Sequence, residues 1–475
     1  MATVTATPAP AALGSRSRLV LFVLCAAQFA VALDFSILNV ALPALGADLG
    51  IGQANLQWGV TAFALPSGGF LLLSGRLADL YGRRRIFLIG LAAFTAASVL
   101  ATVAWDPASF LAGRVLQGLG AALIVPSGMA LLTTTFREGP ERDRALGVSG
   151  LLLSLGFTAG MLLGGVLTQA LGWRSTMALN VLMGAAVLAG APRLLTESRL
   201  PERPRMDVPG AATITGGLLA LIYALSTAAQ TGFGHADVLA GLAAGVLLLA
   251  AFGWIESRAA QPLVSLRVLR RRTVAFGNLG GLVTFAMMSS VIFLSTLYLQ
   301  QVLRLGPGES GLVFGVIGLA AALGGTVAPR VAGRIGAPRT LLAGLLIQAV
   351  FTAAMLGIGA GGGTWLVVLA GSIACFGHLW AIVAYSITAT SGLGDEEQGL
   401  ATGLVTSTQQ VGLTVGIPLL SALASSRIDG LRAAGHSFAE ATLGGVRLGL
   451  ATDAAVVAAT ALLAGLGLRA WRRVG

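Results

Sequence analysis

Four ionisable side chains lie in stretches of this sequence that are otherwise almost wholly apolar. Asp34 and Asp453 carry carboxyl groups, Arg114 carries a guanidinium group, and His378 carries an imidazole. On insertion scales a charged side chain at the centre of a bilayer costs roughly 2.5–3.5 kcal/mol, so it needs a partner, a water-filled cavity or a proton. If these stretches cross a membrane, the chemistry that such groups support is proton exchange or the binding of a charged substrate.

Asp34 and Arg114 are the strongest candidates for that chemistry. Gln117 follows Arg114 by three residues and therefore shares its helix face. Each residue also has a structural alternative: Asp34 can anchor an unwound helix end near Asn39 and Pro43, and Arg114 can lock two helices together. For both residues we favour proton coupling or substrate binding over the structural alternative.

Asp453 and His378 are weaker candidates for the same chemistry. Asp453 lies six residues after Arg447 and close to the expected start of its apolar stretch, so it can equally be a helix-end residue in contact with water. His378 can titrate near neutral pH, but a histidine in an apolar stretch is more often a hydrogen-bonded core residue. We keep both as candidates for proton coupling or substrate binding.

The composition requires a membrane around these stretches. Of the 475 residues, 56% are hydrophobic and only 10% are charged, and the mean hydropathy is +0.86. A soluble domain has about 25% charged residues, and a chain with so little polar surface cannot cover a soluble core. The composition therefore excludes a soluble enzyme, a disordered protein and a disulfide-rich secreted domain. It predicts an all-α polytopic membrane protein.

Apolar stretches of about 20 residues, the length that crosses a bilayer, occur fourteen times. We place them at 19–42, 56–75, 86–105, 107–135, 145–170, 175–192, 208–228, 237–256, 273–300, 310–330, 340–359, 364–391, 399–424 and 447–468. Polar segments set the seventh and eighth stretches apart. We therefore predict a disordered tail (1–18), a six-helix bundle (19–192), a linker with two extra transmembrane helices (193–272), a second six-helix bundle (273–470) and a short tail (471–475).

The arginines predict the orientation. The chain has no lysine and a formal charge of +11, and 24 of its 30 arginines fall in the tails and loops on the side of the two termini. Basic residues concentrate in cytoplasmic segments, so both termini are expected in the cytoplasm, and the positive charge is topological rather than a nucleic-acid surface. We place Arg114 within a span and assign five arginines to loops on the opposite side: Arg174, Arg304, Arg427, Arg432 and Arg447.

Four motifs give the chain a family resemblance. They are LDFSILNVALPAL at 33–45, GRLADLYGRRR at 75–85, RVLQGLGAALIVP at 114–126 and GFTAGMLLGG at 156–165. With them the chain resembles the major facilitator superfamily, and within it the fourteen-span drug:proton antiporter branch, over about residues 18–470. The segment WRSTMALNV at 173–181 keeps only the Trp-Arg pair and the Asn of the family pattern. The resemblance implies a major facilitator fold, with two six-helix bundles and two extra helices.

The resemblance also implies a cytoplasmic gate in the connection between the second and third spans. Glycine permits a tight turn there because it accepts positive φ, and an aspartate near a helix start can cap backbone N–H groups. A purely topological role for the arginines is the alternative. The residues assigned to the gate are Gly75, Arg76, Asp79, Gly82, Arg83 and Arg84.

The fifth span carries a stripe of small residues. Gly156, Gly160, Gly164 and Gly165 can let two helix backbones approach closely, and the resemblance places that contact between the two halves. Met161 stands where the antiporter motif has proline, which favours a straighter helix and keeps an importer or uniporter of the same fold as an alternative.

The functional expectation is a secondary exporter of hydrophobic or cationic drugs or metabolites, driven by proton antiport through alternating access. No nucleotide-binding G-x-x-x-x-G-K-[ST] motif and no H-E-x-x-H metal motif occur in the sequence, so we expect neither an enzyme nor a cofactor beyond the proton gradient. A monomer in the inner membrane is expected, with protons, lipid and a small molecule as its partners and no nucleic acid. Two alternatives remain: an importer or uniporter of the same fold, and a non-transporting sensor or scaffold.

Overall fold

The computed structural model describes residues 14–52, 55–136, 140–198, 207–258, 266–391 and 395–469, and these ranges are predominantly helical. The residues of both predicted tails that fall outside these ranges (1–13 and 471–475) are therefore not described. The helices are α1 (Ser15–Leu49), α2 (Trp58–Gly69), α3 (Leu71–Tyr81), α4 (Arg83–Thr102), α5 (Pro107–Thr135), α6 (Pro140–Leu171), α7 (Arg174–Leu194), α8 (Val208–Thr231), α9 (Ala236–Glu256), α10 (Leu266–Leu269), α11 (Arg272–Leu297), α12 (Pro307–Ile335), α13 (Ala337–Ala354), α14 (Thr364–Thr390), α15 (Asp395–Ala433) and α16 (Phe438–Arg469).

Within the described ranges, thirteen helices are long and apolar enough to cross a membrane. A fourteenth span is made by α2 and α3 together, which meet at a bend of 52° close to Phe70. This pair occupies the place of the predicted span 56–75, so the expected architecture of fourteen spans is confirmed when the bent pair counts as one. The first helix begins at Ser15, and the last four residues of the predicted N-terminal tail are therefore helical.

The helices form two bundles with the same internal arrangement. In the first bundle α1 packs against α6 and α7, and α4 packs against α5 and α7. In the second bundle α11 packs against α15 and α16, and α13 packs against α14 and α16. The first, third, fourth and sixth spans of the two bundles therefore correspond: α1 to α11, α4 to α13, α5 to α14 and α7 to α16.

The two extra spans form a hairpin on one flank of the molecule. Helix α8 packs against α2 and α3 of the first bundle and α15 of the second, whereas α9 packs mainly on α8. The Thr215 hydroxyl donates to the carbonyl of Gly69 at 2.8 Å, and the Gln57 amide donates to the carbonyl of Ser226 at 2.8 Å. Because Gly69 ends α2 at the bend, α8 supplies a donor to a carbonyl that the broken helix leaves free.

Several helices extend beyond the apolar stretches that predicted them. We call the side with Gly14, Gly82 and Gly336 the arginine-rich end, and the other side the arginine-poor end. At the arginine-poor end α15 runs to Ala433 and α16 already begins at Phe438. The prediction that Arg427, Arg432 and Arg447 lie in loops is therefore wrong, and Arg174 is likewise helical, as the first residue of α7. A helix tolerates polar residues where it projects past the hydrocarbon region, so hydropathy marks only its apolar part.

Candidate functional site

A buried charge cluster lies between α1 and α5 of the first bundle. The Arg114 Nη1 atom donates to Asp34 Oδ2 at 2.7 Å, and both side chains are 0% exposed. Asp34 lies just past the middle of α1, and Arg114 is on α5, 80 residues later. A buried ion pair is stable only when its remaining polar atoms are also bonded, so the neighbours of this pair decide whether it can stay charged.

Three further side chains complete the cluster. The same Arg114 Nη1 atom donates to Gln117 Oε1 at 2.9 Å. The Gln117 amide donates to Ser98 Oγ at 2.8 Å and, at 3.4 Å, to Asp34 Oδ1. The Asn180 amide on α7 donates to Asp34 Oδ1 at 2.5 Å. The carboxylate thus accepts from three different side chains, which joins α1, α5 and α7 through one anion.

The guanidinium has contacts on its other side as well. Arg114 Nε donates to the carbonyl of Gly59 at 3.0 Å, and its Cζ lies 4.6 Å from the centre of the Phe63 ring, a cation–π contact. Arg114 Nη2 has no hydrogen-bond partner among the described residues. The cluster therefore holds one unused buried donor, which can serve a further acceptor at this site.

Local sequence fixes the position of α5 in this arrangement. The Asp106 carboxylate accepts from the backbone N–H of Ser109 at 2.7 Å, the Ser109 hydroxyl accepts from the N–H of Asp106 at 3.2 Å, and Pro107 opens the helix. This is a capping box, and the bonds from Ser109 hold the pKa of Asp106 below its ordinary value. A Cβ at Gly118 would overlap the carbonyl oxygen of Phe63, so glycine lets α5 approach α2.

The structure brings together three of the five residues that the sequence assigned to proton coupling or substrate binding. Asp34, Arg114 and Gln117 share one hydrogen-bonded cluster. Asp453 and His378 lie in the second bundle, and among the described residues no hydrogen bond joins either of them to the cluster.

Asp453 lies deeper than the sequence indicated. Since α16 begins at Phe438, Asp453 is close to the middle of the helix rather than near its end. The side chain is 0% exposed, and neither carboxyl oxygen has a hydrogen-bond partner among the described residues. An isolated buried carboxylate is very costly, so this environment favours the neutral acid over the anion.

Two members of the cluster were missed by the sequence reasoning. Asn180 was visible only as the retained Asn of the segment 173–181, and nothing in the sequence connected it to Asp34, 146 residues earlier. Ser98 lies on α4 and gave no signal of its own. Both are short polar side chains that are 0% exposed within apolar helices.

The gate assigned to the second connection is a compact turn between α3 and α4. Arg83 donates to Asp79 Oδ1 through Nε at 3.1 Å and through Nη2 at 2.9 Å. Gly82 has φ +107, a conformation that favours glycine. Gly75 lies one turn before Asp79 on α3, where a Cβ would be 3.7 Å from Pro126.

The start of α4 is capped by a segment that was not assigned to the gate. The Glu197 carboxylate accepts from the backbone N–H groups of Arg84 at 3.1 Å and Arg85 at 3.3 Å, and the Ser198 carbonyl accepts from the N–H of Arg83 at 3.1 Å. Glu197 thus acts as an anion at a helix N-terminus, which is a favourable position for it. These residues begin the linker towards α8, so the linker is bonded directly to the gate turn.

The bond between linker and gate predicts a measurable coupling. Glu197→Ala is expected to lower the stability of the folded protein by about 0.5–2 kcal/mol because it removes a helix cap. Gly82→Ala is expected to cost more, because alanine is strained at this φ and its Cβ would lie 2.8 Å from the Glu197 carboxylate. In the double variant that overlap disappears, so the double variant should lose less stability than the sum of the two single losses.

Thermal unfolding of the full chain in detergent measures this. Glu197→Gln, which keeps one acceptor oxygen, is the graded control and should lie between the wild type and Glu197→Ala. Strict additivity of Gly82→Ala and Glu197→Ala would mean that the contact between linker and gate does not contribute.

The other two predicted gate arginines differ in what they contact. Arg84 Nη2 donates to the carbonyl of Pro192 at 2.6 Å at the end of α7, which ties the gate turn to the same bundle. Arg76 is on α3, half-buried, two turns before Gly82. The described contacts of the gate residues are therefore within the first bundle and its linker.

The glycine stripe on α6 has two different neighbours. Three of its glycines lie against backbone carbonyl oxygens of α1. A Cβ at Gly156 would lie 2.8 Å from the Phe29 oxygen, and a Cβ at Gly160 would lie 2.6 Å from the Leu33 oxygen. A Cβ at Gly164 would overlap the Ile37 oxygen. These three glycines therefore pack α6 against α1 within one bundle. The expectation that the whole stripe lies between the halves is wrong, since a glycine every fourth residue follows a single helix face.

Gly165 is the member of the stripe that faces the second bundle. A Cβ there would lie 2.7 Å from Gly311 Cα on α12. Further along the same pair of helices, a Cβ at Gly318 would overlap the Thr158 side chain. The two bundles are thus packed closely along α6 and α12, and this contact reaches the arginine-poor end.

Comparison with known proteins identifies the family. The sequence matches the Major Facilitator Superfamily over residues 24–417. The cephamycin export protein of Amycolatopsis lactamdurans is 39% identical over 424 residues, covering 86% of this chain and 85% of that protein. The puromycin resistance protein of Streptomyces alboniger is 36% identical over 423 residues, covering 85% and 81%. The probable actinorhodin transporter of Streptomyces coelicolor is 35% identical over 412 residues, covering 84% and 71%.

Solved structures show the same fold. The POT family transporter PepTSo superposes with a TM-score of 0.70 at 15% identity, covering 96% of this chain and 98% of that chain. The human organic anion transporter MFSD10 gives a TM-score of 0.63 at 17% identity. Together with the helical architecture, these matches establish a multi-pass membrane protein that is a transporter rather than an enzyme. The chain belongs to the Major Facilitator Superfamily.

Proposed function

We propose that this protein exports antibiotic-like small molecules from the cell and that inward movement of protons drives the export. The observation that carries the proposal is the Asp34–Arg114 cluster, a fully buried ion pair in a chain whose relatives are named as export and resistance proteins. A transporter has no structural need for a charge pair in the middle of an apolar bundle, because apolar side chains of similar volume are often as stable.

The cluster supports a defined role for the proton. When Asp34 takes up a proton, Arg114 loses its counter-charge, and Gln117 and Asn180 lose a strong acceptor. Three helices that now meet at one anion are then released from it. Protonation therefore favours a different arrangement of α1, α5 and α7, whereas return of the anion favours the present one. A proton that binds the two arrangements unequally can drive a transport cycle.

Asp453 is the second candidate for proton binding. It is the other fully buried carboxyl group of the described spans, and it has no partner there. In this arrangement one half of the protein holds a paired carboxylate and the other half holds a carboxyl group suited to the neutral form. We propose that Asp34 is the coupling site and that Asp453 adds to the proton stoichiometry.

The orientation that we propose places the arginine-rich end in the cytoplasm. The two bundles are joined at the opposite, arginine-poor end, where the Gln300 amide donates to the carbonyl of Val40 at 3.0 Å and Gly165 lies against Gly311. These contacts support an arrangement that is closed towards the outside. Substrate then enters from the cytoplasm or the inner leaflet.

Proton release in everted membrane vesicles tests the proposal. With an acidified vesicle interior, a compound against which the chain confers resistance should release protons, detected by recovery of acridine fluorescence. Vesicles without the protein provide the baseline. Substrate exchange without proton release would indicate a uniporter, and expression without resistance, exchange or proton release would indicate a sensor or scaffold. Either outcome would overturn proton-driven export.

A further inference from the structure

The second bundle holds a polar cluster on the helices that correspond to those of the Asp34 site. The Thr284 hydroxyl on α11 donates to Gln348 Oε1 on α13 at 2.5 Å. The same hydroxyl oxygen lies 2.8 Å from His378 Nδ1 on α14. Helices α11, α13 and α14 correspond to α1, α4 and α5, but here no charged side chain is paired with another among the described residues.

The hydrogen bonds determine which nitrogen of His378 carries the proton. A hydroxyl has one proton, and that of Thr284 is donated to Gln348. The Gln348 amide nitrogen donates to the backbone carbonyl oxygen of Thr284 at 3.5 Å. This contact turns the Gln348 amide oxygen towards the Thr284 hydroxyl. At the contact between Thr284 and His378 we therefore assign the ring nitrogen as the donor. This assignment puts the proton on Nδ1 and leaves Nε2 of the neutral ring as an acceptor.

Within the part of the chain that the structure describes, this acceptor has no partner. His378 is 7% exposed, and no hydrogen bond is made to its Nε2 there. An imidazole without a neighbouring carboxylate is most stable uncharged in an apolar setting. The polar groups of Thr284, Gln348 and His378 are therefore hydrogen-bonded to one another, except for Nε2 of His378. This nitrogen remains as one fixed, uncharged acceptor.

An aromatic pair lies beside the imidazole. The Phe285 ring lies 5.5 Å from the imidazole, edge to face at 85°, and 6.0 Å from the Tyr385 ring at 86°. The Tyr385 hydroxyl is already used, since it donates to the carbonyl of Val405 at 3.1 Å. Edge-to-face surroundings of this kind favour flat aromatic guests.

Helix α11 also borders the other bundle. Phe293 and Thr296 of α11 line the same small space as Asn39 and Leu42 of α1. Thr284 therefore lies on the helix of the second bundle that meets the helix carrying Asp34.

We infer that His378 Nε2 is a substrate-binding acceptor for uncharged aromatic compounds that carry an O–H or N–H donor. Thr284 and Gln348 are positioning residues that keep Nδ1 protonated. The inference rests on the proposed export function, and it makes donor-bearing aromatics the favoured substrates over hydrophobic cations that have no donor.

A matched pair of probes tests this without requiring transport. Binding of 2-hydroxyanthraquinone and 2-methoxyanthraquinone to the purified full-length protein in nanodiscs is compared, with tetraphenylphosphonium as a cation that has no donor. The wild type should bind the hydroxyl compound about tenfold more tightly than its methyl ether, the value of one hydrogen bond. A ratio near one in the wild type would overturn the inference.

Variants assign the effect to the imidazole. His378→Leu and His378→Asn should reduce the ratio to about one, since neither places an acceptor where Nε2 lies. His378→Gln can extend its amide oxygen to that place and should retain part of the preference. Tetraphenylphosphonium affinity should change in none of them. An unchanged ratio in His378→Leu would refute the role of His378.

A further variant tests the inference if the His378 variants do not fold. If a His378 variant does not fold, Thr284→Val leaves the imidazole in place but removes the hydroxyl that orients it, and the ratio should still fall severalfold. An unchanged ratio there would overturn the positioning role. The binding ratio holds or fails independently of proton release in vesicles, so failure of the antiport proposal is distinguishable from failure of this one.

Discussion

Asp34→Asn is expected to abolish substrate-driven proton release in everted vesicles, down to the level of vesicles without the protein. The reason is chemical: a carboxamide has the size of a carboxylate and accepts hydrogen bonds, but it does not take up a proton in this range of pH. Asn180 and Gln117 can still donate to its oxygen, but Arg114 loses its counter-charge, so the amount of folded variant in the membrane is measured alongside proton release. Resistance that depends on the proton gradient should disappear with the proton release.

The same helix offers a matched control. Asp48 lies at the C-terminal end of α1 and also pairs with an arginine, Arg174, but about half of each side chain is exposed. Exposed ion pairs contribute little, and Asp48→Asn should therefore leave proton release intact. Exchange of substrate across the membrane without a gradient separates a coupling defect from misfolding, because Asp34→Asn should retain it. Proton release in Asp34→Asn equal to that of the wild type would remove Asp34 from the coupling mechanism.

The fold was predictable because the bilayer imposes it. A backbone in lipid must satisfy its hydrogen bonds internally, so an apolar stretch of sufficient length predicts a helix almost without further information. The bend between α2 and α3 was not predictable in this way. It follows Pro66 and the Gly68–Gly69 pair of α2, which are typical of helix kinks and which hydropathy does not register. The Thr215 hydroxyl of α8 bonds the carbonyl that the break leaves free, and hydropathy contains no information about which helices become neighbours.

The site was predictable only in part for the same reason. Asp34, Arg114 and Gln117 stood out as charged or paired polar residues in apolar surroundings. Ser98 and Asn180 did not, since a serine or an asparagine in an apolar helix is common and its partner lies in a distant part of the chain. The depth of Asp453 was misjudged because α16 begins nine residues before its apolar stretch.

Arg114→Met is expected to destabilise the folded protein more than any other single change at the site. Methionine fills much of the same volume, but it leaves Asp34 buried with no opposite charge. Breaking a buried ion pair by removing one partner costs about 3–5 kcal/mol. The loss should appear as a lower melting temperature in detergent and a smaller monodisperse fraction. Arg174→Met, which breaks the exposed pair with Asp48, should cost less than about 1 kcal/mol.

The double variant Asp34→Asn with Arg114→Met separates the structural role of the pair from its role in coupling. Because it removes both charges, it should regain most of the stability that Arg114→Met loses. Its proton release should nevertheless stay at the baseline, since no carboxyl group is left at the site. A pair that served only to lock α1 to α5 would give the opposite pattern, with transport returning as stability returns. If Arg114→Met alone were as stable as the wild type, Arg114 would not be what stabilises the Asp34 carboxylate. The coupling mechanism would then need another counter-ion.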